Sequence, residues 1–488
     1  MQSSYANRSP HLPRQSLLAV CLGAALALGG VSSDALATPV PAATQRDRAT
    51  AIPALPNPLA EQWRMLHPAP PPRPEGGVTH VVTNCNDSGA GSLRKAVEDS
   101  ASGDTVDMSS LACSTVTLTT GAIITAVDDL VIQGAGMLET TIDGNANGQV
   151  FIHLGAGTLS LYDLTAIDGA KYTTGNAIAP GGCIYSSGNV DMFQSGAKYC
   201  IAQNTDTGVA LGGALYAKGD VTLFDSTISG SFANGAEFSR GGGVFTPGSL
   251  FAKYSTFRSN EVAGVGSSNG NGGAAYVQGD VSIIDSLVSG NTADYVGGLD
   301  LTGIGATTTL QVGNTTITDN YSRLGKWGTG LYVGNDSTVA NSTITGNVET
   351  NGSDTKYGAG IYVGTISGSL DLQSSIVSGN LLAGIGAPSD IGGDDTVTGA
   401  NNLVGFTNGP VLPADTFISL DPYVGSLDDN GGPTLTMMPQ GGSPLINAGN
   451  NAQGGKYDQR GAGFDRVIGP NADIGAVESD VLFANGFD

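Results

Sequence analysis

The chain has 488 residues, with 20 basic against 43 acidic side chains and a formal net charge of −23, which argues against nucleic acid and anionic lipid as partners. Seventy-four glycines and only 13% charged residues do not suit a helical protein; they point to β-structure made largely of turns.

In chain order, a basic start with Arg8 and Arg14 leads into an apolar run from Leu17 to Val31 and the triplet Ala35-Leu36-Ala37. Residues 1–37 therefore read as a secretory signal peptide, too short in its apolar part to span a bilayer comfortably. No later segment is apolar enough to cross a membrane, so a secreted or outer-surface location is expected. Cleavage removes Arg8, Arg14, Asp34 and Cys21, which leaves 18 basic and 42 acidic residues and a net charge of −24. Residues 38–77 hold ten prolines, including Pro70-Pro71-Pro72, and read as an extended linker.

From Val78 the chain changes to short β-prone runs. Ser92 is placed to cap a short helix with Leu93, Ala96 and Val97 on one face and Glu98 and Asp99 outward, a cover for the first coil. A repeat follows, marked by Gly182, Gly213, Gly243, Gly273, Gly298, Gly330 and Gly360 at intervals of 31, 30, 30, 25, 32 and 30 residues. Tyr185, Tyr216, Tyr276, Tyr332 and Tyr362 come just behind the marker in five of these seven units, which places them at one position of the repeat, where a packing stack is favoured over the alternative of a sugar-binding face. Within units, an alternating run precedes a second short strand: Val221-Thr222-Leu223 before Ser226-Thr227-Ile228-Ser229, and Val281 and Ile283 before Leu287-Val288-Ser289. Inward residues at a period of two would stack on their copies about 4.8 Å away and build the core.

Asp225, Asp285, Asn314 and Asn341 lie between the two strands, and Ser231, Asn260, Asn291, Asn320, Asn347 and Asn380 after the second. Both sets read as turns that tolerate left-handed backbone, with amides bonding their copies one level away. The competing reading, a column of calcium ligands, lacks a nonapeptide calcium repeat to support it.

Once Cys21 leaves, Cys85, Cys113, Cys183 and Cys200 remain, an even number in an oxidising compartment. Three pairings exist. Cys85 with Cys113 and Cys183 with Cys200 are preferred because each pair falls in the same or neighbouring repeats. Zinc is the weaker reading: no CxxC pair occurs, and His80 and His153 are the only histidines beyond the linker.

The segment Asn84-Cys85-Asn86-Asp87-Ser88-Gly89 through Gly91-Ser92-Leu93-Arg94-Lys95-Ala96 resembles the start of bacterial right-handed β-helix proteins with a CSLREA-like segment, Lys95 departing from the motif. Asn430-Gly431-Gly432-Pro433-Thr434, Gly442-Ser443-Pro444-Leu445-Ile446-Asn447-Ala448-Gly449, Asp458-Gln459-Arg460-Gly461 and Asp473-Ile474-Gly475-Ala476-Val477-Glu478 resemble a choice-of-anchor Q domain. The resemblance implies export and surface display, and it brings no catalytic residue. The expected fold is all-β: a right-handed parallel β-helix of the pectate-lyase-like kind over 78–423, with an N-terminal helical cap. A turn-rich C-terminal cap is expected over 424–478, with Asp458, Arg460, Asp465 and Arg466 pairing structurally, and a terminal tail over 479–488.

An enzyme of acidic polysaccharides needs converging groups. A hydrolase uses paired carboxylates, and Asp128-Asp129, Asp394-Asp395 and Asp428-Asp429 are available, without the His-Gly or Arg-Ile-Lys signatures. A lyase uses a base with calcium or a cation. Lys218, Arg240, Lys253, Arg258, Arg323 and Lys326 share no repeat offset. No GxSxG, GxxxxGK[ST] or HExxH motif occurs. The sequence therefore assigns no catalytic, cofactor-binding or metal residue. It favours a non-catalytic protein that adheres to a glycan or surface protein, with a lyase or glycosidase acting on acidic glycans as the alternative.

Overall fold

The computed structural model describes residues 76–264, 269–302, 308–351, 354–364 and 369–479. The expected leader, nearly all of the linker, and residues 480–488 of the expected tail lie outside the described residues.

Strands are short because from Thr158–Tyr162 onward each alternating run of the first sheet ends at a residue with left-handed backbone. Val221–Phe224 alternates buried with half-buried positions, and Asp225 follows at φ 50°. The chain consequently winds as a parallel solenoid of about 11 turns. One full turn visits sheet A (Val221–Phe224), B (Thr227–Ser229), D (Phe232–Gly235), E (Phe238–Arg240) and C (Val244–Thr246), and Leu250–Lys253 then restarts A. Among the described residues, A and B have twelve strands each, C eleven, D nine and E four. The strands pair in parallel, except Leu381–Leu382 against Ala387–Pro388.

Sheets A, B and C enclose the main core. In A, Leu223, Ala252, Ile283, Val312 and Val339 lie in register; in B, Ile228, Phe257, Val288, Ile317 and Ile344 do the same. All ten are inaccessible to solvent. Sheets D and E form an arm looped out between B and C. Its interior is Ala179, Ala202, Ala210, Ala233, Val262 and Ala293, so the two sheets approach closely.

The repeat glycines sit where this arm joins the prism. Strand pairing puts Gly182, Gly213 and Gly273 in one column and Gly243, Gly298, Gly330 and Gly360 in the next, so the markers that the sequence presents as one position are two. A Cβ on Gly213 would lie 2.7 Å from the Phe232 backbone, and one on Gly273 2.7 Å from Thr292 O. No side chain fits where the returning chain passes strand D.

Two polar ladders line the corners. At the A-to-B corner, Asp225, Asp285, Asn314 and Asn341 take positive φ as expected. The next residue feeds a hydroxyl ladder: Ser226 N–H donates to Ser255 Oγ, Ser255 N–H to Ser286 Oγ, and Thr315 N–H to Ser342 Oγ. At the B-to-D corner, Asn260, Asn291, Asn320 and Asn347 each donate through N and Nδ2 to the Oδ1 of the next asparagine, ending at Asn380. These asparagines do not hold the left-handed backbone read for them from sequence; Ser259, Gly290, Asp319 and Gly346 just before them do. The turn is made one residue early because the amide must point inward to reach its copy. Those amide oxygens are thereby engaged by N–H donors.

Helix α1 (Leu93–Glu98) starts at Ser92, whose Oγ accepts from Lys95 N–H at 3.2 Å, and buries Leu93, Ala96 and Val97 in the main core. Arg94 ties it down through Gly121 O, Ala122 O and Asp87. Cys85 is joined to Cys113, and Cys183 to Cys200.

The C-terminal region departs from the expected end cap. Residues 424–479 run back along the side of the solenoid as a strap. Leu445 and Ile474 pack on Ile376 and Leu403. Ala476 N–H donates to Thr343 Oγ1, Thr316 Oγ1 to Gln459 Oε1, and Gln459 Nε2 to Ser286 O. The outward positions of sheet B explain this: Leu287, Thr316, Thr343, Ile376 and Leu403 form a strip, part apolar and part hydroxyl, that only such a cover buries. At the last coil it is Leu412 that packs against the main core.

Candidate binding face

The three-residue strands of sheet C alternate in, out, in, so each presents one outward side chain. In register these are Tyr185, Tyr216, Phe245, Tyr276, Asp300, Tyr332 and Tyr362. Six steps of about 4.8 Å give a column about 29 Å long. Its rings stack at 5.6, 5.3 and 5.7 Å from Tyr185 to Tyr276, and at 5.8 Å between Tyr332 and Tyr362, with planes 12–22° apart. The repeated tyrosine of the sequence is therefore a packing stack whose ring edges form the floor of an elongated face.

Sheet E walls one side of it. Leu211 packs with Phe245 and Tyr276. Arg240 lies 4.5 Å over the Tyr276 ring and 4.9 Å over Phe238, and Lys218 lies 6.0 Å over Tyr185. Cation–π contact orients both cations along the floor. Sheet E stops at Asn269–Asn271. Tyr295, Trp327 and Tyr357 continue the wall, each three residues before a marker glycine (Gly298, Gly330, Gly360). Tyr295 packs on Trp327 at 5.2 Å, and Tyr357 on Tyr362 at 5.6 Å. The interval of 25 residues is the first unit without an E strand among the described residues, and the units after it have none there either. Sequence reading missed these three aromatics, although their fixed distance from the glycine was a usable signal.

Asp300 interrupts the column. It is buried between Tyr276 and Tyr332 in register, with Thr302 Oγ1 donating to its carboxylate. Burial pushes its pKa up to about 6 against the opposing pull of Thr302, Arg240 and Asn271.

The other residues weighed from sequence do not converge. Asp128 and Asp129 accept from Ala156 and Thr158 N–H. Asp394 pairs with Lys356 at 2.9 Å. Asp428 and Asp429 accept from turn amides. Buried His153 has Nε2 against Val127 O and Asp128 O and Nδ1 against Ser186 Oγ, a structural assignment that makes Nε2 the donor. Lys253 reaches Asp285, Arg323 pairs with Glu261 and Asp294, and Arg258 and Lys326 are exposed. In the strap, Asp458 and Arg460 pair at 2.8 Å. Asp465 is exposed and not part of this network, and Asp473 and Glu478 flank Arg466 instead. Among the described residues, no group of three His, Cys, Asp or Glu side chains is placed to hold a metal ion, and no helix is long and apolar enough to cross a membrane.

Burial also raises Asp285 to about 6 and Asp390, Glu349 and Glu478 to about 7, from ordinary values near 4. The folded chain thus holds protons that the unfolded chain has released, and stability falls as pH rises from about 4 to about 7. On the acid side, Asp104 is lowered to about 2 by N–H of Ala101, His80 and N–H of Val78, so its contribution is lost as pH falls below about 4. The melting temperature is expected to peak at mildly acidic pH and to drop by several degrees at pH 8. A flat profile between pH 5 and 8 overturns this.

No family model, curated protein or solved structure matches the chain, so its function rests on the geometry of this face.

Proposed function

We propose that this is an exported protein that holds an extended glycan along the sheet C face without turning it over. The observation that carries the reading is the register-locked column of rings with Arg240 and Lys218 laid on it. It offers a floor of ring edges for the apolar C–H surface of sugars and oriented donors for hydroxyl or carboxylate groups. Export is supported by the leader-like residues 1–37 and by two disulfides, which suit an oxidising compartment. The Pro-rich linker would hold the solenoid off a surface, and the resemblance at 424–478 is compatible with surface display.

Binding is measured by titrating the mature protein with pectate, alginate, chondroitin and neutral glycans at fixed salt. Arg240→Ala is expected to weaken binding about tenfold, a difference of about 1.4 kcal/mol. Equal affinity of parent and variant across the panel sinks the reading. Asp300 is the observation that favours the second reading, an enzyme of acidic glycans with this carboxyl in its site. Release of unsaturated or reducing ends by the parent, abolished in Asp300→Asn, would establish it.

A further inference from the structure

The inner column of sheet D runs Ala202, Ala233, Val262, Ala293, Ser322, Glu349 and Leu382. A carboxylate has replaced the small apolar residue in its sixth position. Glu349 is 1% exposed, and neither carboxylate oxygen has a hydrogen-bond partner among the described residues. Buried unpaired carboxyls are costly when ionised. The segment Leu324–Trp327 lies over it, where an E strand would otherwise stand. Gly325 takes φ 64°, and a Cβ there would collide with the Glu349 carboxylate. Trp327 is held at φ 68°, a conformation that disfavours a bulky side chain, and its ring is 38% exposed against Tyr295.

We propose that Glu349 is a proton-operated latch: protonated, it lets Leu324–Trp327 close over the arm and sets Trp327 in the wall of the binding face; ionised, it drives that segment off. The functional part of this inference rests on the glycan-binding reading. The charged surroundings give the ionised form no counter-ion. Asp354 is of like sign and raises the group further. Arg323 is committed to Glu261 and Asp294, and Lys326 is exposed on the moving segment itself. Ser322, stacked on Glu349, bonds Thr329 Oγ1 at 2.7 Å. Burial brings the carboxyl's titration to about 7. The hinges are the bonds that flank the segment: Leu324 N–H to Asp294 O and Gly328 N–H to Tyr357 O.

The chain has two tryptophans, so Trp63→Phe leaves Trp327 as the sole tryptophan emitter in an otherwise full-length protein. Without glycan, its emission is expected to shift to the red between pH 6 and 8. Glu349→Gln, a neutral isostere, should stay at the acid-side wavelength throughout, and Gly325→Ala should sit at the alkaline-side wavelength at every pH. A pH-independent spectrum in the Trp63→Phe protein, or the same transition retained in Glu349→Gln, overturns the latch. Glycan affinity of Glu349→Gln at pH 8, expected several-fold above the parent's, is a separate readout: no gain there with the spectral transition intact refutes the link to binding and leaves the latch standing.

Discussion

Ile283→Asp is expected to leave the central turns of the solenoid unfolded. Ile283 is inaccessible to solvent, with Ala252 below and Val312 above in the A column. The substitution forfeits about 2–3 kcal/mol of apolar burial. It also places a carboxylate where no donor faces it, which brings the total to about 5 kcal/mol or more. Neighbouring levels cannot relax around the charge, because each inward side chain is packed between its two copies. The control is Ser282→Asp on the same strand, where the side chain points outward and is half-buried; its effect should stay within about 0.5 kcal/mol. Thermal melts followed by circular dichroism decide the matter, and an Ile283→Asp protein that melts like the parent removes the assigned register.

The second large effect is expected in the strap. Arg460 and Asp458 are fully buried, with Nη2 2.8 Å from Oδ2, and Nη2 also donates to Glu478 O. The guanidinium lies 4.1 Å over Phe464. Arg460→Leu keeps much of the volume but strands the Asp458 carboxylate, a change that costs about 3–5 kcal/mol when one partner of a buried pair is lost. Residues 424–479 should then become the preferred site of limited proteolysis, while the digested core keeps its β-signature. Unchanged protease resistance contradicts a strap held by this pair.

Much of the solenoid was legible because its core obeys simple periodicity. Leu223, Ile283 and Val312 alternate with outward residues, and a period of two has one structural solution. Asn260 to Asn380 were recognisable as a ladder because asparagine at a repeated corner has few other uses. The hydroxyl ladder was not: Ser226 reads only as the first residue of a strand, Ser255 and Ser286 carry no pattern of their own, and only register shows each hydroxyl meeting the next amide. Sheet E was hidden because Ala210–Leu211 and its neighbours are too short and too plain to carry a pattern. The side placement of the strap depends on contacts such as Gln459 with Ser286, 173 residues apart, which no local signal encodes. The aromatic column was legible as a stack. Its wall at Tyr295, Trp327 and Tyr357 went unread although each residue stands three before a marker glycine, because that spacing gains a meaning only where sheet E ends.

The strap changes how such a stack comes apart. A plain solenoid is a one-dimensional array in which each level is coupled to its two neighbours, so it frays from its ends a level at a time. Here one segment binds Ser286, Thr316, Thr343 and Ser374 together, through Gln459, Ala476 and Gly475. Those levels lose the option of opening singly, and the described levels before Tyr254 keep it. Cooperativity is therefore unequal along the axis: amide exchange should report graded protection toward the amino-terminal turns and a single opening event for the strapped ones.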